Sequence, residues 1–423
     1  MKSEKKFYEM NHEERLSFIA SRTNLTKNEI STIVNQVLPF ENIDRMIENA
    51  IGIFSLPLGI ATNFVVNEKK YLVPMAIEEP SVIAAASHAA KLSKFFGGFK
   101  ANASSSIMRG QIQIQITNLL DIKNSIRIIS RNKDALLRIA NSRSKNVKAL
   151  DLKTRILNND IDNKKMLVAE IYVDCKDSMG ANAINSMCEL VGPEIERMAN
   201  CKVILKILSN YSTERIAISQ ATFKKEELGG PDIVDRILSA FSFAFSDPHR
   251  AVTHNKGIMN GIDAVAIATG QDFRAIEAAA HAYASRDGKY RTLTTFSKSP
   301  KGDLIGRIEI PLSVGIVGGI SSVHPTAKIG LKILGAKSAS ELACVIASVG
   351  LAQNLAAIRA LSTEGIQKGH MKLHAKNIAV AAGATGKLVD IVSETMHKQS
   401  NISLDSARTI LQGLLQNRTY KSS

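Results

Sequence analysis

The spacing of apolar and polar positions changes several times along the chain, and each change marks an element. In the first forty residues, Asn11-His12-Glu13-Glu14 and Thr26-Lys27-Asn28-Glu29 each set a side-chain acceptor three residues ahead of a glutamate. That is the spacing of a capping box, and it predicts two helices. Val65–Val73 reads as a strand pair turning at Asn67-Glu68. Pro80 is expected to open a helix along the alanine-rich run to Leu92, with Gly97-Gly98 as its stop.

Residues 107–210 read as a separate unit. Gln111-Ile112-Gln113-Ile114-Gln115-Ile116 alternates strictly, the period of a half-buried strand. A helical stretch over 120–141 follows, then strands over 149–157 and 166–174 joined by the turn-rich Asn158-Asn159-Asp160. A helix from Ser178 to Met198 and a strand over Lys202–Leu208 complete the order β-α-β-β-α-β. This is the split βαβ, ferredoxin-like pattern and not a doubly wound parallel sheet. The remainder, 211–364, belongs with 1–106 in a large mixed domain, and 365–423 is a helical, basic segment suited to a mobile lid. The expected class is α+β.

Composition narrows the picture. Apolar residues make up 45% of 423, enough for sizeable cores. No apolar run is seen to approach the roughly 18–20 residues of a membrane span, and the start lacks the apolar segment of a signal peptide. The expectation is a cytoplasmic protein with no membrane partner. Cys175, Cys188, Cys201 and Cys344 form no CxxC pair and read as reduced, mostly buried thiols. The net charge of +15 suits nucleic acid or a small polyanion. The basic residues are spread out, Trp is absent and aromatics are 5%, so stacking platforms are few and the small polyanion is preferred.

Familiar motifs fail. There is no Gly-x-Gly-x-x-Gly, and Gly383-Ala384-Thr385-Gly386-Lys387 is too short for a P-loop. His370 and His374 have the spacing of helical metal ligands but no evident third ligand, so no metal is expected. Five other constellations carry chemistry, each with a plainer alternative. Glu78-Glu79-Pro80-Ser81 is a charged helix start or holds a proton donor, which the helix dipole would oppose. Asp247 through Gly261 packs Arg250, Lys256, two His and two Asn among glycines; it is a solvated loop or a ligand grip. Thr269-Gly270-Gln271-Asp272 caps a helix or supplies a carboxylate. Asp177-Ser178-Met179-Gly180-Ala181-Asn182, between strand and helix, is a cap or a phosphate cradle. Gly369-His370-Met371 offers a structural histidine or a proton donor to a leaving thiolate.

Together these segments resemble the class II, bacterial-type HMG-CoA reductases. The resemblance runs from about residue 11 to about 415. It rests also on Glu48-Asn49-Ala50-Ile51-Gly52, Val73-Pro74-Met75, Ala84-Ala85-Ala86-Ser87, Thr253-His254-Asn255-Lys256-Gly257, Gly350-Leu351-Ala352-Gln353-Asn354 and Thr363-Glu364-Gly365-Ile366-Gln367. It implies a dimer with the active site at the subunit interface, a small non-Rossmann dinucleotide domain and a C-terminal flap. It implies four-electron reduction of the HMG-CoA thioester to mevalonate and CoA with two NAD(P)H. Glu79 would be the acid, Lys256 the cation at the carbonyl oxygen, Asp272 the carboxylate tuning both, and His370 the proton donor to CoA. Ser81, Arg250, Thr253, Asn260 and Gln353 would hold the hydroxymethylglutaryl group, and Asp177 through Asn182 the dinucleotide.

One position departs from NADH-using members, which carry an Asp near the end of the first small-domain helix. Here Ser144 stands between Arg143 and Lys145. A Ser between two cations would accept a 2′-phosphate, so NADPH is expected to be preferred over NADH. Another CoA-thioester reductase, a nucleic-acid-binding protein and an inactive CoA-binding paralogue are the competing readings. The direction of the reaction in the cell is not legible.

Overall fold

Among the described residues, ten strands come in five consecutive pairs separated by helices. In chain order they are β1 Leu58–Val66, β2 Lys69–Ala76, β3 Lys100–Ala103, β4 Ile107–Gln115, β5 Lys148–Asn158, β6 Lys165–Asp174, β7 Lys202–Ser209, β8 Ile216–Phe223, β9 Thr294–Lys298 and β10 Leu304–Pro311. The structure is a computed structural model and describes residues 5–35, 38–115, 119–144, 146–161, 165–363 and 375–419. Among the described residues, all pairs between these strands are antiparallel. They form a β1–β2 hairpin, a sheet ordered β3-β8-β10-β9 and a sheet ordered β5-β6-β4-β7.

The last of these sheets has the strand order of a split βαβ unit. Its alternation follows the sequence: Ile112 and Ile114 are fully buried, while Gln111 and Gln113 are half-buried on the other face. One hydrophobic cluster lies entirely between Met108 and Val203. A larger one draws on Ala61–Phe99 and then Ala217–Ile358, so the chain leaves this core and returns to it. A third, smaller cluster joins Ala375, Ala379, Ala384, Val392, Met396, Ala407 and Leu411. It belongs to three short helices, over 375–381, Lys387–Lys398 and Leu404–Thr419.

Both capping boxes form. The Glu14 amide donates to Asn11 Oδ1 and the Asn11 amide to Glu14 Oε2, each at 2.9 Å. The Thr26 amide donates to Glu29 Oε2 at 2.7 Å, and the Glu29 amide to Thr26 Oγ1 at 3.2 Å.

Three expectations need correction. The stretch over 120–141 is two helices, Leu119–Arg131 and Lys133–Asn141, because Asn132 leaves the helical region at φ −99°, ψ 11°. Pro80 does not open the next helix: it stands in a turn, and Ser81, left-handed at φ 74°, precedes Val82–Ser93. The sequence also holds one apolar run of membrane length. Helix Ala339–Ser362 contains an 18-residue window of mean hydropathy 1.6, but 83% of that window is buried inside the protein. It is the central helix of the larger core, and its cluster partners come from β8, β10 and helix Pro248–Ala268.

Those two long helices meet at glycines. A Cβ on Gly261 would lie 2.9 Å from the Gln353 Cβ, and one on Gly350 would lie 2.8 Å from Ile262. The close approach fixes how helix Pro248–Ala268 presents its outer face.

Candidate active site

Asp247 caps helix Pro248–Ala268, accepting from the His249 and Arg250 amides at 3.4 and 3.2 Å, and Pro248 occupies the first turn. The polar stretch 247–261 is therefore no loop. Arg250, Thr253, Lys256 and Asn260 recur at spacings of three and four, which aligns them on one stripe. Ala251, Ile258, Ile262 and Val265 face the core.

The neighbouring polar residues are structural. Asn255 donates to the Arg291 carbonyl at 2.8 Å and accepts from the Leu293 amide at 3.0 Å. His254 is buried. Its Nε2 lies 2.7 Å from Thr294 Oγ1, and that hydroxyl donates to Asn354 Oδ1 at 2.8 Å. One hydroxyl proton serves one acceptor, so Nε2 carries the imidazole proton. Burial, with Arg250 as a lesser cause, pushes the His254 pKa down to about 3, so it stays neutral.

Glu79 closes onto the stripe. Lys256 Nζ donates to Glu79 Oε2 at 2.7 Å, and Asn260 Nδ2 donates to the same oxygen at 3.2 Å. A cation and an amide, rather than the helix dipole, hold this carboxylate. Around the pair stand groups that the described part of the fold leaves unsatisfied. Gln353 is 6% exposed, yet its Oε1 accepts no hydrogen bond. Arg250, pushed down in pKa by burial, has no side-chain partner among the described residues. The Ser81 hydroxyl makes no cap bond. Thr253 is exposed, and its hydroxyl reaches only the His249 carbonyl at 3.4 Å. Of these four only Gln353 is buried, and a buried polar atom ordinarily finds a partner; the Arg250 fork is free to take an anion.

Asp272 stands apart. It caps helix Phe273–Ala284, accepting from the Ala275 amide at 3.1 Å, with Arg274 Nε at 3.7 Å. The Gln271 amide bonds the Ala266 carbonyl at 2.7 Å, so Asp272 lies beyond the end of the Lys256 helix. Lys256 is ten residues before Ala266, about 15 Å along the axis, and helical side chains incline toward the N-terminus. One chain does not bring Asp272 to the Lys256–Glu79 pair. His370 and Lys145 lie outside the described residues.

Asp177 through Asn182 enter helix Ala181–Ala199. Gly180 is left-handed at φ 102°, and a Cβ there would lie 2.3 Å from Cys175 Sγ. No side chain caps this helix, so its first amides are free for an anion. Ala181 and Asn182 form its open first turn, and Met179 packs on the small core. Asp177 is used internally: its carboxylate accepts from the Ala339 amide at 2.8 Å, and its carbonyl from the Ile316 and Val317 amides at 2.9 and 3.2 Å. Those bonds bring up a glycine-bearing segment that the sequence reading missed. A Cβ on Gly315 would lie 2.6 Å from the Met179 nitrogen, while Gly318 and Gly319 have positive φ and open space. The signal was present as Gly315, Gly318 and Gly319 in an uncharged run. Ser144 Oγ accepts from the Val147 amide at 3.2 Å, and Arg143 beside it is exposed. Among the described residues, no cluster of three or more His, Cys, Asp or Glu is arranged to hold a metal.

Asp263, one turn beyond Asn260, hydrogen-bonds to Glu277. Burial, then this bond and the Glu277 charge, push its pKa from 3.8 up to about 9. A folded pKa raised above the unfolded value favours the protonated group in the fold. The stabilisation is complete below pH 4 and drains away as pH rises toward 9. Asp263→Asn keeps the shape without the proton demand, so its melting temperature should exceed wild type by several degrees at pH 8 and converge with it at pH 4. Parallel melting curves at pH 8 would sink this account.

An open helix terminus on a split βαβ unit, joined to a domain that presents a lysine–glutamate pair, fits the class of oxidoreductases that use a dinucleotide. The family model for hydroxymethylglutaryl-coenzyme A reductase matches residues 11–375. A 3-hydroxy-3-methylglutaryl-coenzyme A reductase from Archaeoglobus fulgidus is 51% identical over 413 residues, 96% of this chain and 94% of that protein. The reductase structure from Streptococcus pneumoniae superposes with a TM-score of 0.80 at 36% identity, covering 96% of this chain and 99% of the other. A class II structure from the same organism, bound to NADPH in open conformations, gives 0.79 at 37% identity, with 96% and 100% covered. The chain belongs to the hydroxymethylglutaryl-CoA reductase family and matches its class II members. Its reaction is the reduction of HMG-CoA to mevalonate and free CoA.

Proposed function

We propose that Lys256 and Glu79 are the acid–base centre of this reductase, and that two copies of the chain complete each site. The observation that carries this reading is the 2.7 Å contact between Lys256 and Glu79, shared by Asn260 on an accessible stripe. A thioester carbonyl gains negative oxygen character as it is reduced, and the Lys256 ammonium stabilises it. Glu79 is within reach of the same ammonium and supplies the proton that the product hydroxyl needs. Arg250 grips the substrate carboxylate. Ser81, Thr253, Asn260 and Gln353 hold the hydroxyl and carbonyl groups, so the orphan Gln353 oxygen gains a donor. His370, on the C-terminal segment 365–423, protonates the departing thiolate.

The dinucleotide supplies hydride and docks on the unit 107–210. The amides from Gly180 to Asn182 take its diphosphate, and the open glycines 318 and 319 leave room beside them. The remaining unit, 1–106 with 211–364, holds the CoA ester. NADPH is the preferred dinucleotide: the Streptococcus pneumoniae relative binds it, and exposed Arg143 stands beside Ser144 with no carboxylate between them.

The second copy follows from two features. Asp272 cannot reach its own Lys256, so the Asp272 of each site belongs to the other copy. The segment 47–57 has no regular structure, and Ile51 and Phe54 on it are almost fully exposed, an apolar arm that a dimer would cover. Four free thiols suit the cytoplasm.

The test is dinucleotide oxidation followed by absorbance. Two NADPH should be consumed per HMG-CoA, with kcat/KM for NADPH exceeding that for NADH by about tenfold or more, the worth of a good charge-assisted contact. No HMG-CoA-dependent oxidation would overturn the active-site reading. A clear NADH preference would overturn the role given to Arg143 and Ser144 alone.

A further inference from the structure

Arg215 is 6% exposed and sits on the passage between β7 and β8, where the chain returns from the small core to the large one. No carboxylate pairs with it among the described residues. Its partners are backbone carbonyls. Nη1 donates to Ser178 O at 3.2 Å and to Met179 O at 3.1 Å, and Nη2 donates to Ser178 O at 3.2 Å and to Val314 O. Burying a guanidinium with no directly bonded counter-ion is costly, and burial pushes its pKa down even though the Asp174 and Asp177 charges oppose the shift. Three carbonyls on two converging segments are the return for that cost.

The geometry has a directional consequence. The C=O and N–H of one trans peptide point in opposite directions. A guanidinium that draws the Ser178 and Met179 carbonyls inward turns the Met179 and Gly180 amides away from itself. The bridge between Ser178 and Val317 holds the Met179 amide against the 315–317 segment, whereas the Gly180 amide has no hydrogen-bond partner among the described residues. The Gly180 amide continues the row of free amides on Ala181 and Asn182, with the Arg215 charge behind them. Fixed amides in front of a buried cation make a wall suited to phosphate oxygens. Val314 ties the same cation to the segment that carries Gly315, Gly318 and Gly319.

We propose that Arg215 is a positioning residue for the dinucleotide, holding the Ser178–Gly180 turn against the 314–317 segment so that the turn's amides face the cofactor diphosphate. This rests on the reading that residues 177–182 receive the dinucleotide, and the experiment separates the two. NADPH binding is titrated by its fluorescence without HMG-CoA, and steady-state KM values are measured beside it. Arg215→Lys keeps the charge but not the fork. Its Kd for NADPH should rise about tenfold, while the KM for HMG-CoA stays within about twofold. Ser104→Ala is the control for simple loosening of the junction. Ser104 bonds the Glu214 carbonyl and the Ile216 amide on either side of Arg215 but does not touch the turn. It should lower the melting temperature without changing NADPH affinity.

Asn182→Glu, at an exposed position of the open first turn, sets a carboxylate beside the expected diphosphate and should abolish NADPH binding. Wild-type affinity in Arg215→Lys beside lost affinity in Asn182→Glu would overturn the role of Arg215 and spare the motif. Wild-type affinity in both would overturn the motif reading. Equal changes in both KM values would also overturn the proposal, because they describe a junction and not a cofactor wall. Should Arg215→Lys not fold, hydrogen exchange on the wild-type protein decides. NADPH should slow exchange at 178–182 and at 314–317 together, and protection of 178–182 alone would sink the proposal.

Discussion

Lys256→Ala yields a folded protein whose kcat with HMG-CoA and NADPH falls by about 100- to 1000-fold, the usual loss when a preorganised oxyanion partner is removed. Two features make this a clean test. The Lys256 side chain is 60% exposed and that of Glu79 35%, so the ion pair contributes within about 1 kcal/mol of stability. Alanine is also the strongest helix former, and position 256 lies in the interior of Pro248–Ala268. Loss of activity therefore reports chemistry and not unfolding. Residues 177–182, proposed for the cofactor diphosphate, make no contact with Lys256, so NADPH affinity measured by fluorescence should change by no more than about threefold. Activity within a few-fold of wild type would remove Lys256 from the centre. The stripe of Arg250, Thr253 and Asn260 would then have to act without a cation at the carbonyl oxygen.

The sequence made some of this plain and hid the rest for physical reasons. Local signals survived. The two capping boxes form because their partners are three residues apart and need nothing else. The alternation from Gln111 to Gln115 survives because one sheet face is buried and the other is not. Helix Pro248–Ala268 was hidden because its inward face carries His254 and Asn255. Both look like surface residues until Thr294, Asn354 and the Arg291 and Leu293 backbone satisfy them from far along the chain. Gly257 and Gly261 further weakened the helical signal, and Gly261 is there for contact with the second long helix. The catalytic candidates were found through several motifs together, since none of Glu79, Asp272 or Lys256 was decisive alone. Arg215 carried no signal, because a lone arginine between two strands has no spacing to read. Its meaning lies in carbonyls 36 and 99 residues away.

Mixed dimers should restore activity that neither parent has. Asp272→Asn still caps helix Phe273–Ala284, since Asn is as good a cap as Asp, but it lacks the charge to serve the Lys256–Glu79 pair. Lys256→Ala lacks the cation. Each variant alone is expected to be inactive, and each should fold. In a two-fold symmetric dimer of one Asp272→Asn chain and one Lys256→Ala chain, one site draws its lysine and its aspartate from the two damaged positions. The other site draws both from intact ones. Heterodimers isolated through two different tags should therefore show about half the wild-type specific activity. The helix geometry forces this result if Asp272 takes part at all, because about 15 Å of helix separates it from the lysine of its own chain. Ile51 and Phe54 stand almost fully exposed on the 47–57 segment, as an apolar contact with a second copy would require. Heterodimers as inactive as their parents would leave Asp272 as a helix cap only, and each chain would then hold a site that works without it.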